Sequence, residues 1–114
     1  MPWVAYQFAA VWDKTYSNCD ADTQEKLDQR LIGLREKGNL SDEPISKHLR
    51  NGIFELRAKT ARMLFFFGPN RYQITFVNCF IKKQRKVPPE EIDLAIKRRS
   101  QIQVGMVVPN ALPN

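Results

Sequence analysis

Positively charged side chains suited to phosphate binding lie in two separate parts of the second half of the chain. Arg57 and Arg62 flank a short turn that contains Lys59. A second group follows an apolar run that ends near Phe80, and it consists of Lys82, Lys83, Arg85 and Lys86. Arginine donates two hydrogen bonds to phosphate oxygens from a planar group that stays charged, and lysine supplies a compact positive charge. Both groups therefore predict contacts with an RNA backbone.

RNA cleavage without a metal is one reaction that such residues could support. The 2′-hydroxyl attacks the adjacent phosphate, provided that the RNA is held in line, the phosphorane charge is neutralised and protons are moved. Arg57 and Arg62 are the candidates for neutralising that charge. Lys82 and Lys83 are expected to hold the phosphate, and a lysine crowded by cations can also move protons. The other residues expected to bind RNA are Lys47, His48, Lys59, Arg85 and Lys86.

The same charges also have structural interpretations. Arg57 could pair with Glu55, Arg62 could be a charged residue at the start of a strand, and Lys59 could be a solvated turn residue. The lysine cluster could be the solvated connection between two elements. His48, the one histidine of the sequence, could be an ordinary surface residue or could move a proton.

The formal charge of +6 is unevenly distributed. Residues 1–46 carry five basic and eight acidic side chains. Residues 47–62 carry five basic side chains and one acidic side chain, and residues 82–99 carry seven basic and three acidic side chains. The first part is thus acidic and the second half strongly basic. This segregation favours a polyanion bound by the second half.

The length of 114 residues predicts one domain with an adequate core. No run approaches the roughly 18 apolar residues of a membrane span, and the first residues lack the pattern of a signal peptide. We therefore expect a cytoplasmic protein. Cys19 and Cys79 fit no zinc spacing, so neither a metal nor a cofactor is expected.

Aromatic and leucine patterns predict the elements of the N-terminal part. Residues 3–8 favour a strand, and a short helix is expected from about Ala9 to Tyr16. A longer helix follows, because Asp22 and Glu25 have the spacing of a capping box and Gly38 marks an end. Its leucines form one face: Leu27, Leu31 and Leu34.

Three strands joined by short turns are predicted next. Residues 53–58 alternate, with Phe54, Leu56 and Ala58 on one side and Ile53, Glu55 and Arg57 on the other. Residues 62–67 are apolar at nearly every position, as in a central strand covered on both faces. Residues 72–81 form the third strand. Consecutive strands with short turns indicate an antiparallel meander.

A helix and a tail complete the predicted domain. Pro88 or Pro89 suits a first helical turn, with acidic residues at the start and Lys97, Arg98 and Arg99 near the end. The helix dipole accounts for those last three cations without RNA. We expect a domain over residues 1–102 and a flexible or partner-docking tail over residues 103–114.

Two motifs on these elements resemble those of a known family. They are K-x-L-x-x-G-I-F-E-L-R over residues 47–57, with Arg62 following, and F-x-K-K-x-x-K-x-P-x-x-E-I over residues 80–92. Together they resemble the phage-derived HigB-like branch of the RelE/ParE toxin superfamily. The resemblance implies a small single α+β domain, with N-terminal helices packed on a curved antiparallel sheet and a C-terminal helix.

The resemblance also implies a toxin of a type II toxin-antitoxin system. Such toxins typically cleave mRNA on the ribosome without a metal. They are held inactive by an antitoxin, often a helix-turn-helix (HigA-like) protein, in a hetero-oligomer. The superfamily also contains ParE-like poisons of DNA gyrase, and an inactive RNA-binding module is a third interpretation.

The sequence departs from the motif at one position. HigB-like relatives often have a histidine where this chain has Asn78. An asparagine cannot act as a general acid or base at neutral pH. A lysine or His48 would have to move the proton, or the protein cleaves RNA slowly, or it does not cleave RNA.

Overall fold

A six-stranded sheet with helices on both faces forms the frame of the structure, a computed structural model that describes residues 2–113. The elements are β1 (Val4–Gln7), α1 (Val11–Ser17), α2 (Ala21–Lys37), β2 (Lys47–Arg50), β3 (Ile53–Ala58), β4 (Ala61–Phe67), β5 (Gln73–Ile81), α3 (Pro89–Gln103) and β6 (Asn110–Ala111). None of the described helices is both long and apolar enough to cross a membrane.

The strand order in the sheet is β2-β3-β4-β5-β1-β6. Strands β2 to β5 form an antiparallel meander, which confirms the prediction for residues 53–81. The predicted α+β fold class is confirmed, and the sheet departs from antiparallel pairing at one place, because β1 runs parallel to β5, with Val4 opposite Gln73. Hairpin turns force antiparallel neighbours, whereas β1 is separated from the meander by two helices that leave its direction free.

The two faces of the sheet carry separate apolar clusters. On one face, Leu27 and Leu34 of α2 pack with Leu56, Phe65 and Phe76. On the other face, the apolar side of α3 packs on the sheet through Ile53, Leu64, Phe66, Val77, Ile92, Ala95 and Ile102. The alternation predicted for β3 and the double coverage predicted for β4 are therefore confirmed. Residues of β3 with odd numbers face α3.

The N-terminal cap of α2 differs from the sequence prediction. Asp20 is the cap and accepts a hydrogen bond from the Thr23 N–H at 2.8 Å. The predicted cap, Asp22, lies within the first turn and instead forms an ion pair with Lys59. Gly38 ends the helix with a φ of 55°, as expected for a residue that needs the left-handed region.

The segment after α3 packs on the sheet over part of its length. Strand β6 pairs with β1, and the Leu112 N–H donates to the Ala5 carbonyl at 2.9 Å. Leu112 is buried among the residues that cover α2's face of the sheet. This pairing differs from the loose tail expected for residues 103–114, because β1 offers a free edge that the sequence pattern does not reveal. Partner docking by the tail remains a prediction.

Candidate functional site

An open groove with a volume of about 370 Å³ lies where β2, β3 and the β5–α3 connection meet. Its basic and histidine lining residues are Lys47, His48, Arg50, Arg57, Lys82, Arg85 and Lys86. Its apolar lining residues are Leu49, Val87 and Ile92, and Glu55 is the carboxylate among its lining residues. We call this surface the cationic groove.

The cationic groove brings together two segments that are distant in sequence. Lys47, His48 and Arg57 come from β2 and β3, whereas Lys82, Arg85 and Lys86 follow β5. They meet because β3 and β5 lie on either side of β4 and both end beside the same turn. The Lys82 N–H donates to the Thr60 carbonyl at 2.7 Å, which fixes the start of the basic connection against that turn. Six of the nine predicted site residues therefore lie together.

Arg57 lies on β3 directly opposite Arg62 of β4. Its guanidinium Nη2 donates to Glu43 Oε1 at 3.2 Å, in an ion pair whose side chains are both about half exposed. This partner differs from the Glu55 pairing considered from the sequence. An exposed ion pair contributes little and can be exchanged for a phosphate, so Arg57 remains accessible to a ligand.

Arg62 is buried, with 8% of its surface exposed. Its Nη1 donates to the carbonyls of Lys59 and Ala61 at 2.5 and 2.9 Å, and its Nε lies 3.6 Å from Glu55 Oε2. Burial lowers the pKa of Arg62 from its ordinary value, and the charge of Glu55 opposes this effect. Arg62 thus holds the turn between β3 and β4 and does not line the groove.

Lys59 and Lys83 also lie outside the groove lining. Lys59 has a φ of 53° and pairs with Asp22 of α2, on the opposite face of the sheet. The hydrogen bond to Asp22 raises the pKa of Lys59. Lys83 is exposed to solvent in the β5–α3 connection.

His48, a candidate for proton transfer, and Asn78, at the position where relatives often have a histidine, are both engaged. Asn78 is buried and donates to the Glu91 backbone carbonyl at 3.1 Å and to Glu91 Oε1 at 3.2 Å, so it ties β5 to α3. His48 lies at the groove margin, where its Nε2 accepts the Gly52 N–H at 3.2 Å and its ring contacts Phe54. A ring nitrogen that accepts this hydrogen bond has no free lone pair for a substrate proton.

Two of the three cations near the end of α3, Arg98 and Arg99, bind the protein itself. Arg98 Nη1 donates to the Val77 carbonyl at 2.9 Å, and its guanidinium lies 4.6 Å from the centre of the Phe8 ring. Arg99 donates to the Asn51 carbonyl. Neither residue lines the groove.

Sequence reasoning missed two residues of the groove, Arg50 and Glu55. Arg50 lines the groove and pairs with Asp93 of α3 at 2.6 Å. It belongs to an edge strand whose sequence, KHLR, lacks apolar alternation. Glu55 was recognisable in part, because the alternation of residues 53–58 places it on the same face as Arg57.

Comparison with known proteins assigns the chain to a family. The model of the family described as phage derived protein Gp49-like (DUF891) matches residues 14–100. The chain belongs to the phage-derived Gp49-like family. No curated protein is significantly similar to this Gp49-like chain in sequence.

This Gp49-like protein also resembles a solved structure. A chain in the crystal structure of the toxin-antitoxin complex RelBE2 from Mycobacterium tuberculosis matches it with a TM-score of 0.54 and 13% sequence identity. The match covers 72% of this chain and 100% of that chain. At this identity the similarity concerns the fold, and the predicted small α+β architecture of the RelE type is confirmed.

Proposed function

We propose that this Gp49-like protein is the toxin of a type II toxin-antitoxin system and cleaves mRNA on the ribosome without a metal. The observation that supports this proposal most is the cationic groove, in which six lysine and arginine side chains from two segments surround one concave surface. A single RNA strand presents successive phosphates, and such a groove can follow its backbone. The family name and the RelE-type fold support the same class of protein.

Within this proposal, Arg57 is the group that neutralises charge on the reacting phosphate. It lies inside the groove, and its exposed pair with Glu43 can open when a phosphate arrives. Lys82 and Lys86 hold neighbouring phosphates, with Lys47, Arg50 and Arg85 around them. Arg62 acts indirectly, because it positions the turn beneath the groove, and Lys83 makes a weaker, peripheral contact. Lys59 takes no part in RNA binding, because it pairs with Asp22 on the opposite face of the sheet.

We further propose that a cytoplasmic antitoxin, a helix-turn-helix protein of the HigA type, binds this toxin in a hetero-oligomer. The similar RelBE2 chain was crystallised in a toxin-antitoxin complex. An antitoxin that covers the groove with acidic side chains would compete directly with RNA, since both ligands would use the same cations.

A second candidate function involves no RNA cleavage. The protein would then be either a poison that acts on DNA gyrase in the manner of ParE or an inactive RNA-binding module. Asn78 favours this alternative, because it occupies the position where HigB-like relatives often have a histidine and is engaged with Glu91. The two candidates differ in whether induction of the protein leaves transcripts intact.

Induction of the wild-type protein and of Arg57→Ala in bacteria tests the proposal. We expect growth arrest with transcript cleavage inside codons for the wild type, and loss of both for Arg57→Ala. Lys97→Ala is the matched control, because Lys97 is an exposed cation of α3 outside the groove. DNA damage with intact transcripts would instead indicate a gyrase poison, and undiminished cleavage by Arg57→Ala would refute the assignment of the site.

A further inference from the structure

Among the described residues that line the cationic groove, Glu55 is the one carboxylate. It lies in the middle of β3, with Lys47 directly opposite on β2 and Leu64 directly opposite on β4. Only 3% of its surface is exposed, so its side chain forms part of the groove floor. A buried carboxylate among phosphate-binding cations is unfavourable for binding RNA, because it repels the ligand and must be desolvated.

The carboxylate of Glu55 is held only loosely. Its nearest charged partner is Arg62 Nε at 3.6 Å, which is too far for a hydrogen bond. Arg62 instead directs its Nη1 to the carbonyls of Lys59 and Ala61. Within residues 2–113, Arg62 Nε has no hydrogen-bond partner and the Glu55 oxygens accept no hydrogen bond from a side chain. The carboxylate oxygens of Glu55 therefore remain available as hydrogen-bond acceptors.

The other groove residues cannot accept a proton as readily. Lysine ammonium and arginine guanidinium groups are donors, and His48 Nε2 already accepts the Gly52 N–H. Glu55 and Arg57 lie on the same face of β3, two residues and therefore about 7 Å apart along the strand. A phosphate bound by Arg57 would thus place the adjoining ribose beside Glu55.

We propose that Glu55 is the catalytic base that removes the proton from the attacking 2′-hydroxyl. This inference rests on the proposed nuclease function. A Glu55 carboxylate oxygen takes the proton, and the 2′-oxygen forms a bond to phosphorus with the freed electron pair. The bond from phosphorus to the 5′-oxygen breaks, and the departing 5′-oxygen takes a proton from water. The products are a 2′,3′-cyclic phosphate and a 5′-hydroxyl, and Glu55 returns its proton to solvent.

Glu55→Gln tests this role in single-turnover cleavage of ribosome-bound mRNA. We expect the rate to fall about 100-fold or more, the lower end of what a general base contributes. RNA affinity should be unchanged or higher, because the substitution removes a negative charge. The wild-type rate should fall as the pH is lowered and the base is protonated, and this acid limb should be absent from the Glu55→Gln profile.

A substrate with sulfur in place of the 5′-oxygen distinguishes a base from an acid. Sulfur leaves without needing a proton, so it restores the rate of variants that lack the general acid. We expect no restoration for Glu55→Gln, and restoration would overturn the assignment. Glu55→Asp keeps a carboxylate on a side chain that is shorter by one methylene group. Its cleavage rate should therefore be reduced, but its pH–rate profile should still fall at low pH. This variant also provides the test if Glu55→Gln is too unstable to assay.

Three further results separate the possible failures. Glu25→Gln, an exposed carboxylate of α2, should cleave RNA at the wild-type rate. Glu55→Gln could instead cleave RNA at a rate within about threefold of the wild-type rate while Glu43→Gln cleaves far more slowly. The base would then be Glu43, the carboxylate paired with Arg57, so our inference would be wrong although the nuclease function would stand. If the wild-type protein leaves ribosome-bound mRNA intact, the proposed function and this inference fail together.

Discussion

Arg57 and Arg62 lie opposite each other on β3 and β4, yet their surroundings give them different roles. Arg57 is half exposed and belongs to the groove. Arg62 is buried, compensates the charge of Glu55 and satisfies two carbonyls of the turn. Of two arginines five positions apart, one thus lines the groove and the other supports the fold.

Alanine substitution should separate these two roles. Arg62→Ala leaves Glu55 as a buried charge without its partner, so we expect the free energy of unfolding to fall by about 3 kcal/mol. Arg57→Ala removes an exposed ion pair and should change the free energy of unfolding by less than about 1 kcal/mol. Urea unfolding monitored by circular dichroism measures both values. Equal stability of the two variants would contradict the structural role of Arg62.

The meeting of the two basic segments was predictable from residue types and spacing, whereas the detailed positions were not. Lys82, Lys86 and Arg57 were identified because strands joined by short turns bring their ends together. Lys59 was misplaced because its positive φ directs it toward α2, which the turn sequence does not specify. Glu55 was taken for a possible partner of Arg57, because nothing local shows that α3 covers its face.

At the scale of elements, patterns longer than about six residues were the most informative. The leucines of α2, the alternation of β3 and the apolar run of β4 each have a clear period, and each prediction is confirmed. The parallel pairing of β1 and the addition of β6 depend on contacts between distant segments. Short strands of four and two residues carry no period of their own.

The cap of α2 predicts a dependence of stability on pH. Hydrogen bonds from the side chain and the backbone N–H of Thr23 lower the pKa of Asp20 below its ordinary value of 3.8. A carboxylate whose pKa is lower in the folded than in the unfolded state stabilises the protein fully at pH values above its unfolded-state pKa. This stabilisation is lost as the pH falls through the folded-state pKa. Asp20→Ala should therefore lower Tm by several degrees at pH 7 and by progressively less as the pH falls below 3.8.

Asp20→Asn provides the control for this measurement. Asparagine caps helices about as well as aspartate but does not titrate, so its Tm difference from Asp20→Ala should not shrink at low pH. Thermal unfolding of all three proteins across this pH range checks both statements. A difference between wild type and Asp20→Ala that stayed constant with pH would show that the charge of Asp20 is irrelevant to the cap.

At the scale of the whole molecule, the charge segregation seen in the sequence concentrates positive charge at the groove. Helices α1 and α2 together carry five acidic and five basic side chains, so they are balanced in charge, whereas the groove is built from the basic segments. We therefore expect a polyanion to be attracted to the groove more than to the helical face.

RNA affinity should therefore fall steeply with salt. If about four phosphates of a single strand are contacted, the logarithm of the association constant should fall with a slope of about −3 against the logarithm of salt concentration. Replacing Lys82 and Lys86 together by alanine should reduce this slope by about 1.4. Fluorescence anisotropy with a short RNA measures the slopes, with Lys97→Ala as the control. A slope near zero would mean that the groove does not bind phosphates.

The construction of the groove also has a consequence for a nascent chain. Val87 and Ile92 form part of its wall, and Arg50 and Asn78 are held by Asp93 and Glu91 of α3. The meander ends at residue 81, whereas the wall also requires the helix that is made afterwards. A nascent chain therefore completes the groove only after α3 has left the ribosome and packed on the sheet.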